Sequence, residues 1–376
     1  MKLRVKGKPA NVTSPIVGRV VFSRHNLDGN SVFITSESDI SETNGKAVLT
    51  SAKEIITNSD LPVVFNVEDF SHLEENDIVA VGTDGNINTL YRINANTNTI
   101  LATERCNSNC LMCSQPPRDK NDIEVLSQIN KELIPLVPKD CVELGISGGE
   151  PTLLGEHFFE ILELIEKELP TTEVHVLTNG RSFAFDKLSN RFGNINHRNI
   201  MLGIPLYSDD YLTHDYIVQA ENAFYQTVMG IQNLARYNAR IEIRIVLHKL
   251  TIPRLFKLSQ YIYKNFPYVE HVAFMGLEFI GYTPHNIDKL WIDPYDYQEE
   301  LKKSILFLDG QGLRVSIYNT ALCLLPIELW PFARKSISDW KNDFMPECEK
   351  CSVNSQCGGF FSWNLKKPSE HIKAIS

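Results

Sequence analysis

The segment from Thr103 to Cys113 reads Thr-Glu-Arg-Cys-Asn-Ser-Asn-Cys-Leu-Met-Cys, so three cysteines follow the spacing C-x3-C-x2-C. Three thiolates on one short loop can bind three irons of a four-iron cubane and leave the fourth iron without a protein ligand. An open metal position is typical of a catalytic site, whereas a structural site is closed. A zinc knuckle or a buried loop cysteine is the alternative, but no Cys or His lies between Cys113 and Cys141 to serve as a nearby fourth ligand. The loop therefore predicts an iron–sulfur centre bound by Cys106, Cys110 and Cys113.

Strand and helix patterns alternate around this loop, from about residue 97 to residue 280. Six apolar runs predict strands: Thr99–Thr103, Val142–Ser147, Glu173–Thr178, Ile200–Leu206, Ile241–Leu247 and Val269–Phe274. Amphipathic stretches predict helices, among them Ile123–Leu136, His157–Leu169 and Ala223–Tyr237. Apolar strands that alternate with helices imply parallel βαβ units, in which the loops after the carboxyl ends of the strands carry the chemistry. The predicted fold is α/β, a partial (βα)6 barrel, because six units are too few to close an eight-stranded barrel.

The next two predicted strands also end in polar motifs. The second strand ends in Gly145-Ile-Ser-Gly-Gly-Glu-Pro151, where adjacent glycines allow a ligand to approach the backbone and the carboxylate can pair with an ammonium group. The third strand ends in Leu177-Thr-Asn-Gly-Arg181. Each motif alone is equally consistent with a simple turn. Their succession after the cysteine loop favours one shared site.

In this order, the three loops resemble the radical S-adenosylmethionine (radical SAM) superfamily. The resemblance implies a 4Fe-4S cluster on the cysteine loop, whose free iron chelates the amino and carboxylate groups of S-adenosylmethionine, and reductive cleavage to a 5′-deoxyadenosyl radical. It implies that Gly148, Gly149 and Glu150 bind the methionine amino group. It also implies that residues 178 and 179 (Thr178 and Asn179) lie near the ribose and methionine groups. The family usually has an aromatic residue before the third cysteine, and Met112 can fill that apolar position here.

Two more cofactor contacts are predicted beyond the third strand. Relatives often place a serine or carboxylate for the ribose after the fourth strand; Pro205 occupies the aligned position, and Ser208 becomes the candidate. Arg244 is charged within an otherwise apolar strand, and buried arginines are rare unless paired. We predict that Arg244 binds the methionine carboxylate; the alternative is an arginine on an exposed strand face.

A second group of cysteines follows near the C-terminus. Cys348, Cys351 and Cys357 have the spacing C-x2-C-x5-C, and Cys323 precedes them. Four thiolates can ligate a second 4Fe-4S cluster completely, and a structural zinc site with four cysteines is the alternative. The pattern resembles the auxiliary-cluster extensions called SPASM or twitch domains, in a short, single-cluster form. Cys323 can also be interpreted as a buried helix residue, and the isolated Cys141 as a core residue.

Composition limits the remaining possibilities. Hydrophobic residues make up 43% and charged residues 22%, as in ordinary globular proteins, and no apolar run of about 18 residues predicts a membrane span. The net charge of −9, without a long basic tract, argues against a nucleic-acid partner. Seven of the eight cysteines fall in two groups, and the start of the chain lacks a secretory signal, so metal ligation in the cytoplasm is favoured over disulfides.

Three domains are predicted: a β-rich N-terminal domain over 1–95, the partial barrel over 96–285 and the auxiliary-cluster extension over 286–376. Short β-prone runs and an Asp84-Gly85 turn characterise the first. An exposed edge of its sheet would bind an extended peptide by strand addition. Alternatively, this domain only covers and stabilises the barrel.

Three longer strings narrow the resemblance: 104–117, Phe274-Met-Gly-Leu-Glu278 and Ser336-Ile-Ser-Asp-Trp-Lys-Asn342. They resemble the C component of the His-Xaa-Ser system, a radical SAM peptide maturase. This resemblance implies a precursor peptide with His-Xaa-Ser repeats as substrate, a paired radical SAM protein and an electron donor such as flavodoxin or ferredoxin. Two alternatives stay open: a radical SAM enzyme acting on a small molecule or cofactor precursor, and a non-catalytic iron–sulfur partner subunit.

Overall fold

The computed structural model describes residues 3–40, 43, 45–57, 60–336 and 342–376, and in this part of the chain the strands form two sheets. The first sheet contains β1 (Arg4–Lys6), β2 (Lys8–Ala10), β3 (Ile16–Val21), β4 (Ser31–Thr35), β5 (Ala47–Thr50), β6 (Val63–Phe65), β7 (Ile78–Val81) and β8 (Asn86–Tyr91). The second contains β9 (Asn98–Leu101), β10 (Glu143–Ser147), β11 (Glu173–Leu177), β12 (Ile200–Pro205), β13 (Arg240–Leu247), β14 (His271–Gly276) and β15 (Val315–Tyr318).

Along the chain, the helices alternate with the strands of the second sheet. They are α1 (Ile123–Leu133), α2 (Glu156–Glu168), α3 (Asp186–Gly193), α4 (Tyr211–Val218), α5 (Ala223–Ala235), α6 (Leu255–Asn265), α7 (Ile287–Leu290) and α8 (Gln298–Gly310). The three predicted amphipathic helices are present. Compared with the prediction, α1 ends three residues earlier, α5 ends two residues earlier, and α2 begins and ends one residue earlier. No helix of the described segments has both the length and the apolar character needed to cross a bilayer.

Packing divides the chain into two compact units. One comprises Met1–Ala102, Asn121–Gly145 and Glu156–Thr172, and the other comprises Thr103–Lys120, Ile146–Gly155 and Glu173–Ser376. All three predicted loops and both cysteine groups belong to the second unit. The division into domains at residues 95 and 285 stays a prediction.

The first sheet has the order β1-β8-β7-β3-β4-β5-β6-β2, and the predicted Asp84-Gly85 hairpin joins β7 to β8. Its two outermost strands, β1 and β2, are consecutive halves of the segment 4–10. Gly7 lies between them: its N–H donates to Gly85 O at 3.0 Å, and a Cβ there would lie 2.6 Å from Phe65 O. Each edge is therefore three residues long, and the two edges are joined covalently. Edges this short offer few unpaired backbone groups, and strand addition of a peptide at this sheet stays a prediction.

The same unit shows what the first sheet packs against. The guanidinium of Arg19 in β3 donates to Leu136 O at 3.2 and 3.3 Å, just beyond the end of α1. Lys46 lies 3.8 Å from Glu132 of α1. These contacts join the first sheet to α1. The alternative in which the N-terminal domain only covers and stabilises the barrel stays a prediction.

The second sheet has the order β15-β14-β13-β12-β11-β10-β9, and β11 to β15 pair in parallel. All six predicted strands are confirmed, with ends that differ by one or two residues. The sequence missed β15, which pairs with β14 through Val272 and Val315 and lies beyond residue 285. The sheet thus continues into the segment assigned to the C-terminal extension.

Strand β13 shows how the sheet combines apolar and polar faces. Its isoleucines are buried, at 1% exposure or less, whereas Glu242 and Arg244 alternate with them and share the other face. A Cβ on Gly203 of β12 would lie 3.0 Å from both Arg244 Cδ and His175 Nε2, so the polar face continues across three strands. Parallel strands place their carboxyl ends at one edge, where the three predicted loops meet.

Candidate functional site

The cysteine loop follows β9 and is fixed by backbone hydrogen bonds to the end of α4. Asn109 N donates to Val218 O and Leu111 N donates to Ile217 O, both at 2.9 Å. The side chains of Leu111 and Met112 are 7% exposed and pack in a cluster with Tyr207. Met112 thus fills an apolar position, as expected.

The three thiols of this loop lie within electrostatic range of one another. Burial, with a smaller contribution from the neighbouring cysteines, raises the pKa of Cys110 to about 12 and that of Cys106 to about 11. Burial also raises the pKa of Cys113. The metal-free thiols therefore hold their protons at neutral pH, and ligation of iron must displace them. Three converging thiols with displaceable protons are a donor set that fits a cubane.

The glycine motif after β10 lies directly against the cysteine loop. Gly149 N donates to Thr103 O at 2.7 Å and Glu150 N donates to Arg105 O at 2.8 Å. A Cβ on Gly149 would lie 1.9 Å from Arg105 O, and Gly148 has a φ of +144°. The backbone conformation itself thus requires both glycines. The sequence motif alone predicts only the approach of a ligand.

Glu150 connects the second loop to the third. It is 1% exposed; Oε1 accepts from Thr152 N at 3.1 Å, from Thr152 Oγ1 at 2.7 Å and from Thr178 Oγ1 at 2.6 Å, while Oε2 accepts from Asn179 N at 2.7 Å. Burial raises the pKa of the Glu150 carboxyl above its ordinary value, against the effect of these hydrogen bonds. Oε2 accepts this one bond among the described contacts, so it retains a lone pair for a cationic donor.

The third loop also binds the cysteine loop. Asn179 Nδ2 donates to Asn107 Oδ1 at 2.6 Å. Arg181 Nη1 donates to Asn107 O and, at 3.0 Å, to Ser108 Oγ, while its Nε donates to Gln226 Oε1 at 2.7 Å. Asn107, Arg181 and Gln226 were not predicted as site residues. Arg181 belongs to the quoted motif and Asn107 to the cysteine loop, but no sequence pattern indicates Gln226 on α5.

Ser208 and Arg244 each have hydrogen-bond partners inside the protein. Ser208 is fully buried, and its Oγ donates to Asp210 Oδ2 at 2.9 Å, where Asp210 caps α4. Arg244 is 22% exposed, and its guanidinium donates to Glu242 Oε1 at 2.6 Å and to Met275 Sδ at 3.0 Å. Arg244 thus does not lie on an exposed strand face. The cofactor contacts of Ser208 and Arg244 stay predictions.

Glu242 is the centre of a polar cluster that sequence reasoning missed. His271 Nδ1 lies 2.6 Å from Glu242 Oε2, and His175 Nε2 lies 3.4 Å from Oε1. Burial opposes ionisation, but His175, His271 and Arg244 outweigh it and hold the pKa of the Glu242 carboxyl well below its ordinary value. This ionised carboxylate orients Arg244.

The four C-terminal cysteines also converge. Burial raises the pKa of Cys323, and the nearby Cys357 and Cys348 contribute to the increase. Burial also raises the pKa of Cys348, with contributions from Cys357 and Cys351. Backbone N–H groups of residues 322 and 359 donate to Cys357 Sγ, and that of residue 375 donates to Cys351 Sγ, each at 3.4 Å. Cys323 therefore joins the other three, and Cys141 is buried in the core.

All eight cysteines are free thiols. Across the described ranges, no three His, Cys, Asp or Glu side chains are arranged to hold a single metal ion. A cubane does not need that arrangement, because each thiolate binds its own iron.

Residues 100–254 match the family model of the Radical SAM superfamily. This segment is therefore similar to radical SAM domains. It contains the three loops that Glu150 and Arg181 connect, and it ends before the C-terminal cysteines. No curated protein matches the chain significantly.

Several solved structures have a similar fold. Streptococcus suis SuiB bound to S-adenosylmethionine has a TM-score of 0.51 and 14% identity, over 75% of this chain and 76% of that chain. Another crystal structure of SuiB has a TM-score of 0.47 and 15% identity, over 59% of this chain and 49% of that chain, so the chain spans about half of its length. Native anSMEcpe with bound AdoMet has a TM-score of 0.41 and 23% identity, over 58% of this chain and 62% of that chain. The SuiB complex with S-adenosylmethionine confirms the predicted α/β fold with its parallel-strand sheet.

Proposed function

We propose that this chain is a radical SAM enzyme that abstracts hydrogen from a ribosomally made peptide. The observation that carries the proposal is the connection of three loops, after β9, β10 and β11, at Glu150. Its backbone N–H donates to Arg105 O of the first loop, and its buried carboxylate accepts from Thr178 and Asn179 of the third. A turn residue would have no need to be buried and ionisable at the meeting point of these loops.

The residues have distinct roles in this proposal. Cys106, Cys110 and Cys113 ligate the 4Fe-4S cluster, and Glu150 Oε2 accepts from the methionine ammonium of S-adenosylmethionine. Gly148 and Gly149 hold the second loop against the first, so that this carboxylate faces the cluster loop.

The remaining contacts concern the sugar and the carboxylate. Thr178 and Asn179 hold the third loop near the ribose, Ser208 completes the ribose contact, and Arg244 binds the methionine carboxylate. A reduced cluster bound by these cysteines would supply the one electron that cleaves the S–C5′ bond of S-adenosylmethionine, giving methionine and a 5′-deoxyadenosyl radical that would take a hydrogen atom from the substrate. A flavodoxin or ferredoxin supplies the electron to the cluster.

The C-terminal cysteines are proposed to ligate a second 4Fe-4S cluster. The convergence of Cys323 with Cys348, Cys351 and Cys357, and the N–H donors aimed at two of the sulfurs, support a ligand set. A structural zinc ion bound by the same four cysteines is the competing occupant.

A peptide substrate is proposed from the resemblance to the His-Xaa-Ser maturases and from the auxiliary cysteines. SuiB, whose S-adenosylmethionine complex shares this fold, also has a crystal structure with its precursor peptide SuiA. Of the string Ser336–Asn342 that supports the narrower resemblance, residues 337–341 lie outside the described residues. The His-Xaa-Ser repeats, the paired radical SAM protein and the cytoplasmic location belong to the same proposal.

Co-expression with candidate precursor peptides and the neighbouring gene products, followed by mass spectrometry, tests the substrate class. A mass change in the peptide that requires Cys106, Cys110 and Cys113 supports the proposal. Cleavage of S-adenosylmethionine without any peptide change would favour the small-molecule alternative. Absence of both would favour the non-catalytic partner subunit.

A further inference from the structure

The side-chain amide of Asn364 binds the backbone of the loop that follows β14. Its Nδ2 donates to Leu277 O at 2.9 Å, and its Oδ1 accepts from Phe279 N at 2.8 Å. One donor and one acceptor on the same planar amide fix both the position and the orientation of that loop. In the sequence, Asn364 lies 85 residues after Phe279 and 87 residues after Leu277.

The same loop closes over the cysteine loop of the radical SAM domain. Tyr282 N donates to Cys113 O at 2.9 Å, and Asn286 Nδ2 donates to Leu111 O at 2.9 Å. Gly281 has a φ of +64°, and a Cβ there would lie 2.1 Å from Cys113 O. The loop 277–286 therefore determines where the backbone of Cys113 lies.

A short segment of the chain connects Asn364 to Cys357, and Asn364 N donates to Phe361 O at 2.8 Å. Cys357 Sγ accepts from Leu322 N and from Gly359 N at 3.4 Å. Between Cys357 and Asn364, Phe360 exchanges two backbone hydrogen bonds of 2.7 Å with Asp343. The segment that contains Cys357 and Asn364 is thus bonded to residues 322 and 343 of the same C-terminal region.

We propose that Asn364 is a positioning residue that couples the auxiliary cysteine site to the cluster loop of the radical SAM domain. Ordering at Cys357 fixes Asn364, Asn364 fixes the loop 277–286, and that loop fixes Cys113. The coupling between two clusters rests on the proposed function, whereas the hydrogen bonds of Asn364 belong to the metal-free chain.

Hydrogen–deuterium exchange of the metal-free, full-length chain tests the contact itself. Asn364→Ala removes two hydrogen bonds, so exchange in peptides covering 277–286 and 109–114 is expected to be about tenfold faster than in the parent chain. Asn98→Ala is the matched control, because Asn98 accepts from Arg92 N at 2.8 Å and donates to Arg92 O at 3.1 Å. The control substitution should leave the exchange rates of these peptides unchanged. Unchanged exchange in Asn364→Ala would overturn the proposal.

Removal of the auxiliary ligands tests the coupling. In the iron-reconstituted chain, the double variant Cys348→Ala/Cys351→Ala should accelerate exchange over 277–286 and broaden the electron paramagnetic resonance signal of the reduced first cluster. In the Asn364→Ala background the same change should add nothing, because two effects on one path are not additive. Fully additive effects would refute the coupling. If the parent chain binds iron but does not cleave S-adenosylmethionine, the proposed function fails, whereas the metal-free result for Asn364 stands.

Discussion

Glu150→Gln tests the contact on which the proposed cofactor site depends. The variant removes a carboxylate from the methionine ammonium, and the loss of one charge-assisted hydrogen bond costs about 1.5–3 kcal/mol, or roughly ten- to a hundredfold in affinity. The amide also cannot accept from all four donors. Whichever way it turns, its NH2 faces Asn179 N or the donors of Thr152 and Thr178. One buried N–H or O–H left unpaired destabilises the fold by about 1–3 kcal/mol.

The pH dependence adds a second readout. Burial raises the pKa of Glu150, so ionisation makes the fold less stable as pH rises through the folded-state pKa, and glutamine abolishes this dependence. Binding of the ammonium requires the ionised form. The affinity of the parent chain for S-adenosylmethionine should therefore fall on acidification, and the fall should begin at a higher pH than for an exposed glutamate.

Anaerobic equilibrium dialysis with labelled S-adenosylmethionine measures the affinity, and iron and sulfide analysis verifies the clusters. Glu270→Gln is the matched control: it breaks the bond from Arg240 Nε, 2.9 Å long, at the opposite end of the strands. The control should bind S-adenosylmethionine as the parent chain does. An unchanged dissociation constant for Glu150→Gln, with clusters intact, would mean that Glu150 only holds the loops together.

Three further predictions concern the cluster loops and the core. Gly149→Ala should displace the cysteine loop and abolish iron binding there, because the added Cβ would lie 1.9 Å from Arg105 O. The control variant Gly310→Ala, whose added Cβ would have nothing within 4 Å, should bind iron normally. Equal iron contents in the two variants would contradict this geometry. The triple variant at Cys106, Cys110 and Cys113 should retain about four irons and four sulfides on the C-terminal cysteines; stoichiometric zinc without iron would identify a structural site instead. Burial lowers the pKa of His248 to about 3, so the unfolded chain takes up a proton that the fold excludes, and the urea midpoint of the metal-free chain should fall as pH decreases from about 6.5 to about 3. His248→Gln should flatten this fall; an unaltered profile would contradict a buried neutral histidine.

The sequence predicted those features that depend on local pattern. Runs of five to seven residues between amphipathic helices predicted all six strands from β9 to β14, because each run contains buried apolar residues. The spacing of Cys106, Cys110 and Cys113 predicted one loop. By contrast, β15 is a four-residue strand, Val-Ser-Ile-Tyr, which is too short to be recognised from its sequence alone. It forms a strand because it pairs with β14.

Long-range contacts could not be predicted in this way. The strands of segment 4–10 contain Arg, Lys and Pro, and only their pairing with β8 and β6 makes them strands. The position of Cys323 beside Cys357, and the contact of Asn364 with the loop after β14, depend on backbone groups that no residue pattern specifies.

The central claim is that the cysteine loop and the two loops joined to it by Glu150 form one site for reductive cleavage of S-adenosylmethionine. The direct measurement is the amount of 5′-deoxyadenosine and methionine formed by the anaerobic, dithionite-reduced chain, quantified by liquid chromatography and mass spectrometry. The parent chain should form both products in equal amounts, and the variant with alanine at Cys106, Cys110 and Cys113 should form neither while it retains its C-terminal irons. Undiminished cleavage by that variant would contradict the account.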